Sequence, residues 1–186
     1  MKTTTKQKLT FEEYLNYDDG TDNRYELQDG ELILMNPPTG RHALIIRFLT
    51  NAFEGEISRL NLPWLTLGGI GVRTSINRVR IPDISVVTRD EFMEYLDVSA
   101  VIESAALLAV EIVSPESKTR DYRYKRSEYS VVGIPEYWIV DSVAEKVVVL
   151  NLVEGLYEET EYKGEERIIS QTFPGLELTV EEILQG

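Results

Sequence analysis

The feature that most constrains this chain is an acidic residue inside an apolar segment. Residues 107–113 read Leu-Leu-Ala-Val-Glu-Ile-Val, a pattern typical of a buried β-strand that is interrupted by Glu111. Burying an ionised carboxylate without a partner is strongly unfavourable. The folded chain must therefore supply a cation, hydrogen-bond donors or a reaction partner for this side chain.

A second acid stands at the start of another apolar segment. Residues 80–88 read Arg-Ile-Pro-Asp-Ile-Ser-Val-Val-Thr, so that Asp83 follows a proline and precedes a run of mostly apolar residues. Two neighbouring strands that each present a carboxylate could share a Mg²⁺ ion, because Mg²⁺ is commonly held by one or two carboxylates together with substrate phosphate. We take Asp83 and Glu111 as candidate metal ligands, and the backbone carbonyl of Ile112 could add a further oxygen.

Length and composition indicate an ordinary globular protein. The chain has 186 residues, of which 42% are apolar and 27% charged, and this is enough for one domain with its own core. The absence of cysteine excludes disulfides, thiolate catalysis and Cys-ligated zinc. No apolar segment approaches the roughly 20 residues that cross a bilayer, and the first residues lack the apolar core of a secretory signal. We expect a cytoplasmic protein without a membrane partner, with residues 1–8 as a disordered lead and residues 9–186 as a single domain.

Charge is distributed unevenly along the chain. The net charge of −13 argues against non-specific coating of nucleic acid, which depends on Lys and Arg. Basic residues are nevertheless concentrated near the two acids: Arg73, Arg78 and Arg80 precede Asp83, and residues 118–126 read Lys-Thr-Arg-Asp-Tyr-Arg-Tyr-Lys-Arg. A local basic patch on an acidic protein can bind a polyanion. The same segment could equally be the solvent-exposed face of a helix, and the pattern leaves both interpretations open.

The remaining segments predict a mixed α/β fold. A helix is predicted at 9–17 with a cap at Thr10, a hairpin at 24–35 around Asp29-Gly30, and a long helix from Thr39 to about residue 60. Further strands are predicted at 64–74, 80–88, 107–113, 136–141, 146–152 and 157–162, further helices at 90–97 and 119–131, and a closing segment at 178–184. Strands that alternate with helices between two terminal hairpins favour a mixed β-sheet flanked by helices.

Short motifs run through residues 9–152 in a recognisable order. They are Arg-Tyr-Glu-Leu-x-Asp-Gly-Glu-Leu at 24–32, His42, Pro-Asp at 82–83, Glu-Ile-Val-Ser-Pro-Glu-Ser at 111–117, Asp121 with Lys125, and Gly-Ile-Pro-Glu-Tyr-Trp-Ile-Val-Asp at 133–141. Each motif is weak alone, but together they resemble the Uma-type restriction endonuclease family of the PD-(D/E)XK nuclease superfamily. The resemblance implies a restriction-endonuclease-like domain. It also implies an endonuclease that uses Mg²⁺ or Mn²⁺ to hydrolyse phosphodiester bonds of nucleic acid, with DNA as the expected substrate.

One position departs from the superfamily pattern. The pattern has a lysine two residues after the glutamate, where this chain has Val113. The resemblance implies that this lysine has moved to the next helix, with Lys125 as the first candidate and Lys118 as the second. The structural alternative is that Lys125 pairs with Asp121 and Glu128 on a helix surface.

Several other residues are candidates for supporting roles. Glu31 could add an acid from an early element or be an exposed hairpin residue, and Glu26 is a weaker candidate. His42, the only histidine, supports the site through the resemblance, although a hydrogen-bonded core residue is the alternative. Asp121 is a further supporting residue. The candidates for nucleic-acid contact are Arg73, Arg80, Arg120 and Arg123.

Two other functions stay open on the sequence. The missing in-strand lysine and the acidic charge favour a nuclease-fold protein that binds nucleic acid or a protein partner without cleaving. A metal-dependent small-molecule hydrolase could use the same two acids. Many members of the superfamily dimerise to cut two strands, and the sequence leaves a homodimer open.

Overall fold

Two β-sheets form the framework of the protein, whose computed structural model describes residues 8–186. The strands are β1 (Tyr25–Gln28), β2 (Glu31–Leu34), β3 (Trp64–Leu67), β4 (Gly71–Ser75), β5 (Arg78–Arg80), β6 (Ile84–Thr88), β7 (Val101–Ile102), β8 (Leu108–Ile112), β9 (Glu136–Asp141), β10 (Lys146–Val153) and β11 (Leu156–Lys163). The smaller sheet has the order β2-β1-β5-β4-β7, and the larger has the order β11-β10-β9-β8-β6-β3. Within the larger sheet β8 and β9 are parallel, whereas β8 and β6 are antiparallel.

Helices cover the sheets and connect them. They are α1 (Phe11–Leu15), α2 (Gly40–Leu60), α3 (Arg89–Phe92), α4 (Arg126–Val132) and α5 (Val180–Gln185), with a 3₁₀ turn at Met93–Tyr95 and a π-helix at Arg120–Lys125 that leads directly into α4. Thr10 caps α1, and Thr39 caps α2 by accepting a hydrogen bond from the backbone of His42, as their positions predict. The mixed architecture, with a hairpin near each end of the chain, confirms the predicted fold class.

Strand β8 is buried on both faces, and its alternation determines which face carries the acid. Leu108 and Val110 join the apolar cluster beneath α2, whereas Ala109 and Val113 join the cluster beside α4. Glu111 therefore lies on the α4 side of the larger sheet. The apolar packing on each face fixes the strand register, because a shift of one residue would exchange the two faces.

Two predicted strands each divide between the sheets. Residues 64–74 form β3 in the larger sheet and β4 in the smaller one, and the chain turns between them at Gly69, whose φ is +75°. Residues 80–88 divide in the same way, because β5 belongs to the smaller sheet and β6 to the larger. Asp83 lies at this second crossing. The two crossings lie close together, because a Cβ added to Gly68 in the first would lie 3.2 Å from the carbonyl oxygen of Asp83 in the second.

Two predicted helices are less regular than expected. The segment predicted at 90–97 is α3 followed by the 3₁₀ turn, and the segment predicted at 119–131 is the π-helix followed by α4. The predicted disordered lead, residues 1–8, lies outside the described residues except for Lys8. Within residues 8–186, no helix is long and apolar enough to cross a membrane.

Helix α2 is attached to the larger sheet through an aromatic group. The ring of Phe53 lies 5.5 Å from that of Trp138 and 5.2 Å from that of Phe173, and all three side chains are buried or nearly so. We expect Phe53→Ala to lower the free energy of unfolding by about 3–5 kcal/mol, because it leaves a cavity at this junction. Urea denaturation measures the loss. Leu60→Ala is the matched control on the same helix, since Leu60 is 41% exposed and its truncation should change stability by about 0.5 kcal/mol. Similar losses in the two variants would contradict this account of the core.

Candidate active site

Glu111 is surrounded by hydrogen-bond donors near the end of β8. Its side chain is almost fully buried, and Oε1 accepts a hydrogen bond from the Tyr129 hydroxyl at 2.7 Å. The ammonium of Lys125 lies 2.7 Å from the same oxygen. Both contacts use Oε1, which leaves Oε2 available to another ligand. The burial that the sequence indicates for Glu111 is thus balanced by a cation and a hydroxyl.

Asp83 lies beside Glu111 on the neighbouring chain segment. Ile84 pairs with Val110 in the β6–β8 ladder, so the next step of the register brings Asp83 opposite Glu111. Oδ2 of Asp83 accepts a hydrogen bond from the backbone N–H of Ile112 at 2.7 Å. The structure therefore brings together the two acids that the sequence predicts as metal ligands. The Ile112 carbonyl remains a proposed third ligand.

His42 approaches Asp83 from the first turn of α2. Its Nε2 lies 2.9 Å from Oδ1 of Asp83, yet Nε2 has no aligned hydrogen-bond partner among residues 8–186. Both side chains are only slightly exposed, at 16% and 17%. An imidazole nitrogen and a carboxylate oxygen that face each other in this way can also bind a shared third group.

Lys125 enters the cluster from the π-helix and not from strand β8. Val113, which occupies the superfamily lysine position, is buried in the apolar cluster beside α4. The Lys125 ammonium instead lies 2.7 Å from Glu111, 3.2 Å from Oε1 of Glu26 and 3.8 Å from Oδ1 of Asp121. Its side chain is 4% exposed, so the alternative of a solvent-exposed surface ladder does not describe it.

Glu26 is the acid that the sequence ranks too low. It lies in β1, is 2% exposed, and accepts a hydrogen bond from the backbone N–H of Ile81 at 3.2 Å in addition to its contact with Lys125. Glu31, which the sequence ranks higher, is exposed on the edge strand β2 and lies outside the cluster. Strand β1 is covered by neighbours on both sides, because it lies between β2 and β5. Tyr129 is a second missed residue, and its only sequence signal is its spacing of four from Lys125.

Arg80 is not available to nucleic acid, which corrects its prediction as a contact residue. It is 1% exposed and binds Glu128 through two contacts, Nε–Oε2 at 2.7 Å and Nη2–Oε1 at 2.8 Å. Nη1 also donates to Glu26 at 2.9 Å and to Gln28 at 3.2 Å. The guanidinium is enclosed because Glu128 of α4 and two residues of β1, Glu26 and Gln28, surround it. Arg80 thus stabilises the cluster through its ion pairs with Glu26 and Glu128.

Other predicted residues lie around the cluster in different settings. Asp121 is buried, accepts a hydrogen bond from the Ser117 hydroxyl, and approaches Lys125. Lys118 is 57% exposed and pairs with Asp141 at 3.2 Å, away from Glu111. Arg73 pairs with Glu103, and its guanidinium lies 3.8 Å from the centre of the Phe11 ring. The last two predicted residues, Arg120 and Arg123, lie on the π-helix next to the cluster.

The charges of the cluster shift its pKa values in opposite directions. Burial alone would lower the pKa of Lys125, but Glu111, Glu26 and Asp121 outweigh it and raise that pKa above the usual lysine range. Burial raises the pKa of Glu111 well above its usual value and also raises the pKa of Asp121, with Lys125 opposing both effects. Burial acts the same way on Glu26, but Lys125 and Arg80 outweigh it, so the pKa of Glu26 is lowered. Lys125 is therefore an ammonium, which can donate hydrogen bonds but cannot accept a proton.

The donor set fits a Mg²⁺ or Mn²⁺ ion that keeps several waters. Asp83 and Glu111 supply hard oxygen ligands, and Oδ1 of Asp121 and Nε2 of His42 are shielded atoms without hydrogen-bond partners among residues 8–186. No group of three or more His, Asp and Glu side chains in that part of the chain is arranged to enclose a metal. A zinc site built entirely from protein ligands is therefore a poor fit, whereas a two-carboxylate site completed by water and phosphate is a good one.

The fold and the cluster together define a restriction-endonuclease-like protein. A sequence model of the family described as "Uma2: Putative restriction endonuclease" matches residues 11–181, so the chain belongs to that family, and the predicted resemblance is confirmed. A solved structure from Anabaena variabilis, described as a putative nuclease belonging to DUF820, has a TM-score of 0.79 and 17% identity over 95% of this chain and 98% of that chain. At this identity the likeness shows a shared fold. No curated protein is similar enough to the chain to count as a match.

The enclosed position of Arg80 leads to a stability prediction. We expect Arg80→Met to lower the free energy of unfolding by about 3–5 kcal/mol, because it removes the buried cation that Glu26 and Glu128 share and leaves each carboxylate with one remaining cation, Lys125 or Arg78. Urea denaturation at neutral pH measures the effect. Arg73→Met is the matched control, since its partner Glu103 is 57% exposed and its loss should cost about 1 kcal/mol. Equal losses for the two arginines would show that Arg80 is not the buried support described above.

Proposed function

We propose that this protein is a metal-dependent endonuclease that hydrolyses phosphodiester bonds of nucleic acid, with DNA as the expected substrate. The observation that carries the proposal is the 2.7 Å contact between the Lys125 ammonium and Glu111, beside Asp83. It supports the view that Lys125 replaces the lysine missing at Val113. Family membership supports the same reaction class. A cytoplasmic location is proposed from the sequence alone.

In this mechanism each residue of the cluster has a different role. Asp83 and Glu111, with the Ile112 carbonyl, would hold a divalent metal, which when bound acts as a Lewis acid and lowers the pKa of a bound water. Lys125 donates hydrogen bonds to the attacking water and stabilises the negative charge that develops on the phosphoryl oxygens. Because the ammonium keeps its proton, Lys125 orients the water and does not deprotonate it. Tyr129 fixes the orientation of the Glu111 carboxylate through its hydrogen bond.

Membership of a family described as putative restriction endonucleases favours a polymeric substrate over a small metabolite. Two surface clefts, of about 790 and 310 Å³, are lined by other residues, and neither includes Asp83, Glu111 or Lys125. Small-molecule sites are usually enclosed pockets that bury most of the ligand. A strand of nucleic acid could instead lie on the protein surface and present one phosphate at the side of the cluster where Asp83 and His42 are partly exposed.

Cleavage of nucleic acid tests the proposal directly. We expect the wild-type protein to cut DNA with Mg²⁺ or Mn²⁺ and to lose activity in EDTA. Asp83→Asn, Glu111→Gln and Lys125→Met should each lower the cleavage rate by about 100-fold or more, because each removes a ligand or charge from the reacting centre. Rates are measured on plasmid and oligonucleotide substrates, both DNA and RNA, with circular dichroism to show that each variant is folded.

The chain provides matched controls for these variants. Glu31→Gln and Lys118→Met change the same residue types at positions that the structure separates from the cluster, and their rates should stay within about twofold of wild type, as for other surface changes. Absence of any cutting by the wild-type protein would contradict the proposal. Salt-dependent binding of nucleic acid without cutting would then favour the non-cleaving alternative.

Metal binding can be tested without measuring activity. A ligand that binds only the folded state stabilises it by about 2.7 kcal/mol at a concentration of 100 Kd. We therefore expect Mn²⁺ or Mg²⁺ to raise the melting temperature of the wild-type protein and of Glu31→Gln. We expect little or no shift for Asp83→Asn, because it removes one of the two carboxylate ligands. A shift of the same size in Asp83→Asn would show that the ion binds elsewhere.

A further inference from the structure

The acids of the cluster create a difficulty for a phosphate substrate. Glu26, Asp83, Glu111 and Asp121 lie close together in a chain whose net charge is −13, so the site tends to repel a polyanion. Lys125 offsets part of this charge but is nearly enclosed by carboxylates. A cation at the edge of the cluster is needed to hold the substrate phosphate there.

Most basic side chains near the cluster already have acidic partners. Lys118 pairs with Asp141, and Arg126 pairs with Glu159. Lys125 is paired within the cluster itself. These cations are at least partly neutralised, and each would have to give up a contact to bind a phosphate.

Arg120 is different from these neighbours. It begins the π-helix, directly before Asp121, and it forms no ion pair with any residue of 8–186. Its Nε is shielded from solvent and has no hydrogen-bond partner within the same range. A shielded donor without a partner is unfavourable, and binding an acceptor removes that penalty.

The charge of Arg120 also acts on the cluster itself. Burial raises the pKa of Glu26, and Arg120 opposes this rise together with the larger effects of Lys125, Arg80 and the Ile81 N–H, so that the pKa is lowered. Arg120 likewise opposes the rise that burial causes in the pKa of Asp121. Arg120 is thus close enough to influence the acids, although it forms no direct pair with either.

We propose that Arg120 binds a phosphate of the nucleic-acid strand beside the bond that is cleaved. When the side chain turns toward the strand, its Nε–H and one Nη–H would contact two oxygens of that phosphate, a bidentate geometry for which a guanidinium is suited and an ammonium is not. The inference rests on the proposed function of the same site.

This proposal separates Arg120 from the other three arginines that the sequence predicts as contacts. Arg80 is enclosed, and Arg73 is paired with Glu103 and lies over Phe11. Arg123 is exposed and forms no ion pair among the described residues, but it has no shielded donor. Arg123 therefore serves as the matched control, because it has the same charge and lies on the same π-helix.

Equilibrium binding tests the proposal independently of cleavage. Duplex DNA and duplex RNA of one sequence are titrated in EDTA, which prevents metal-dependent cutting, at several salt concentrations. Arg120→Met should weaken binding by about 10- to 100-fold and reduce the slope of log K against log salt by about one. Arg120→Lys should keep the slope and still bind several-fold more weakly than wild type. Arg123→Met should change affinity by less than about threefold. The nucleic acid that shows this pattern is the substrate class of the site.

The outcomes separate this proposal from the proposed function. If the wild-type protein cuts, Arg120→Met should lower kcat/KM by about 10- to 100-fold, whereas Lys118→Met should not. Three results would each overturn the assignment. Arg120→Met could bind with the affinity and salt slope of the wild type, or Arg120→Met and Arg123→Met could lose affinity equally. The wild-type protein could also fail to bind either duplex. Loss of binding in Arg120→Met without any wild-type cleavage would support the phosphate site and overturn the nuclease. Melting curves and the conservative variant Arg120→Lys show whether a loss of binding is caused by unfolding.

Discussion

The ammonium of Lys125 is the interaction on which the rest of the site depends. It lies between Glu111 of β8, Glu26 of β1 and Asp121 of the π-helix, at 2.7, 3.2 and 3.8 Å. These carboxylates are buried, so their mutual repulsion is only weakly screened by solvent. One cation at their centre allows strands from both sheets and a helix to approach each other. The same contact that joins these elements also places a positive charge beside the candidate metal ligands.

The π-helix explains how Lys125 reaches that position. Asp121, Lys125 and Tyr129 follow each other at intervals of four residues, and all three side chains face the acidic end of β8. A regular α-helix rotates such positions by about 40° at each step, so they drift apart around its axis. The wider turn at Arg120–Lys125 reduces this drift before α4 begins. Tyr129, in α4, follows Lys125 by one further step of four, and both side chains contact the same oxygen of Glu111.

The parts of the structure that follow from local patterns could be predicted from the sequence. The long helix, both hairpins and the face occupied by Glu111 all depend on periodicity. Local sequence patterns do not distinguish Glu26 from Glu31, because the two acids lie on the two strands of one hairpin. Only the pairing of β1 with β5 buries Glu26. The sequence predicts Arg80 as a nucleic-acid contact because basic residues cluster before Asp83, whereas its buried partner Glu128 is 48 residues away along the chain. Partners brought together by long-range packing have no local signal.

The cluster is not arranged for the greatest stability. Buried ionic networks are often no more stable than apolar side chains of the same volume. This chain nevertheless buries Glu26, Glu111, Asp121 and Lys125 on the side of the larger sheet that also carries the apolar cluster beside α4. It also leaves shielded polar atoms of Asp121 and His42 without hydrogen bonds within residues 8–186. Folding alone gives no reason for these unsatisfied groups, because aliphatic residues could fill the same space. Binding gives a reason, since a metal, its waters and a phosphate would satisfy the groups that the fold leaves open.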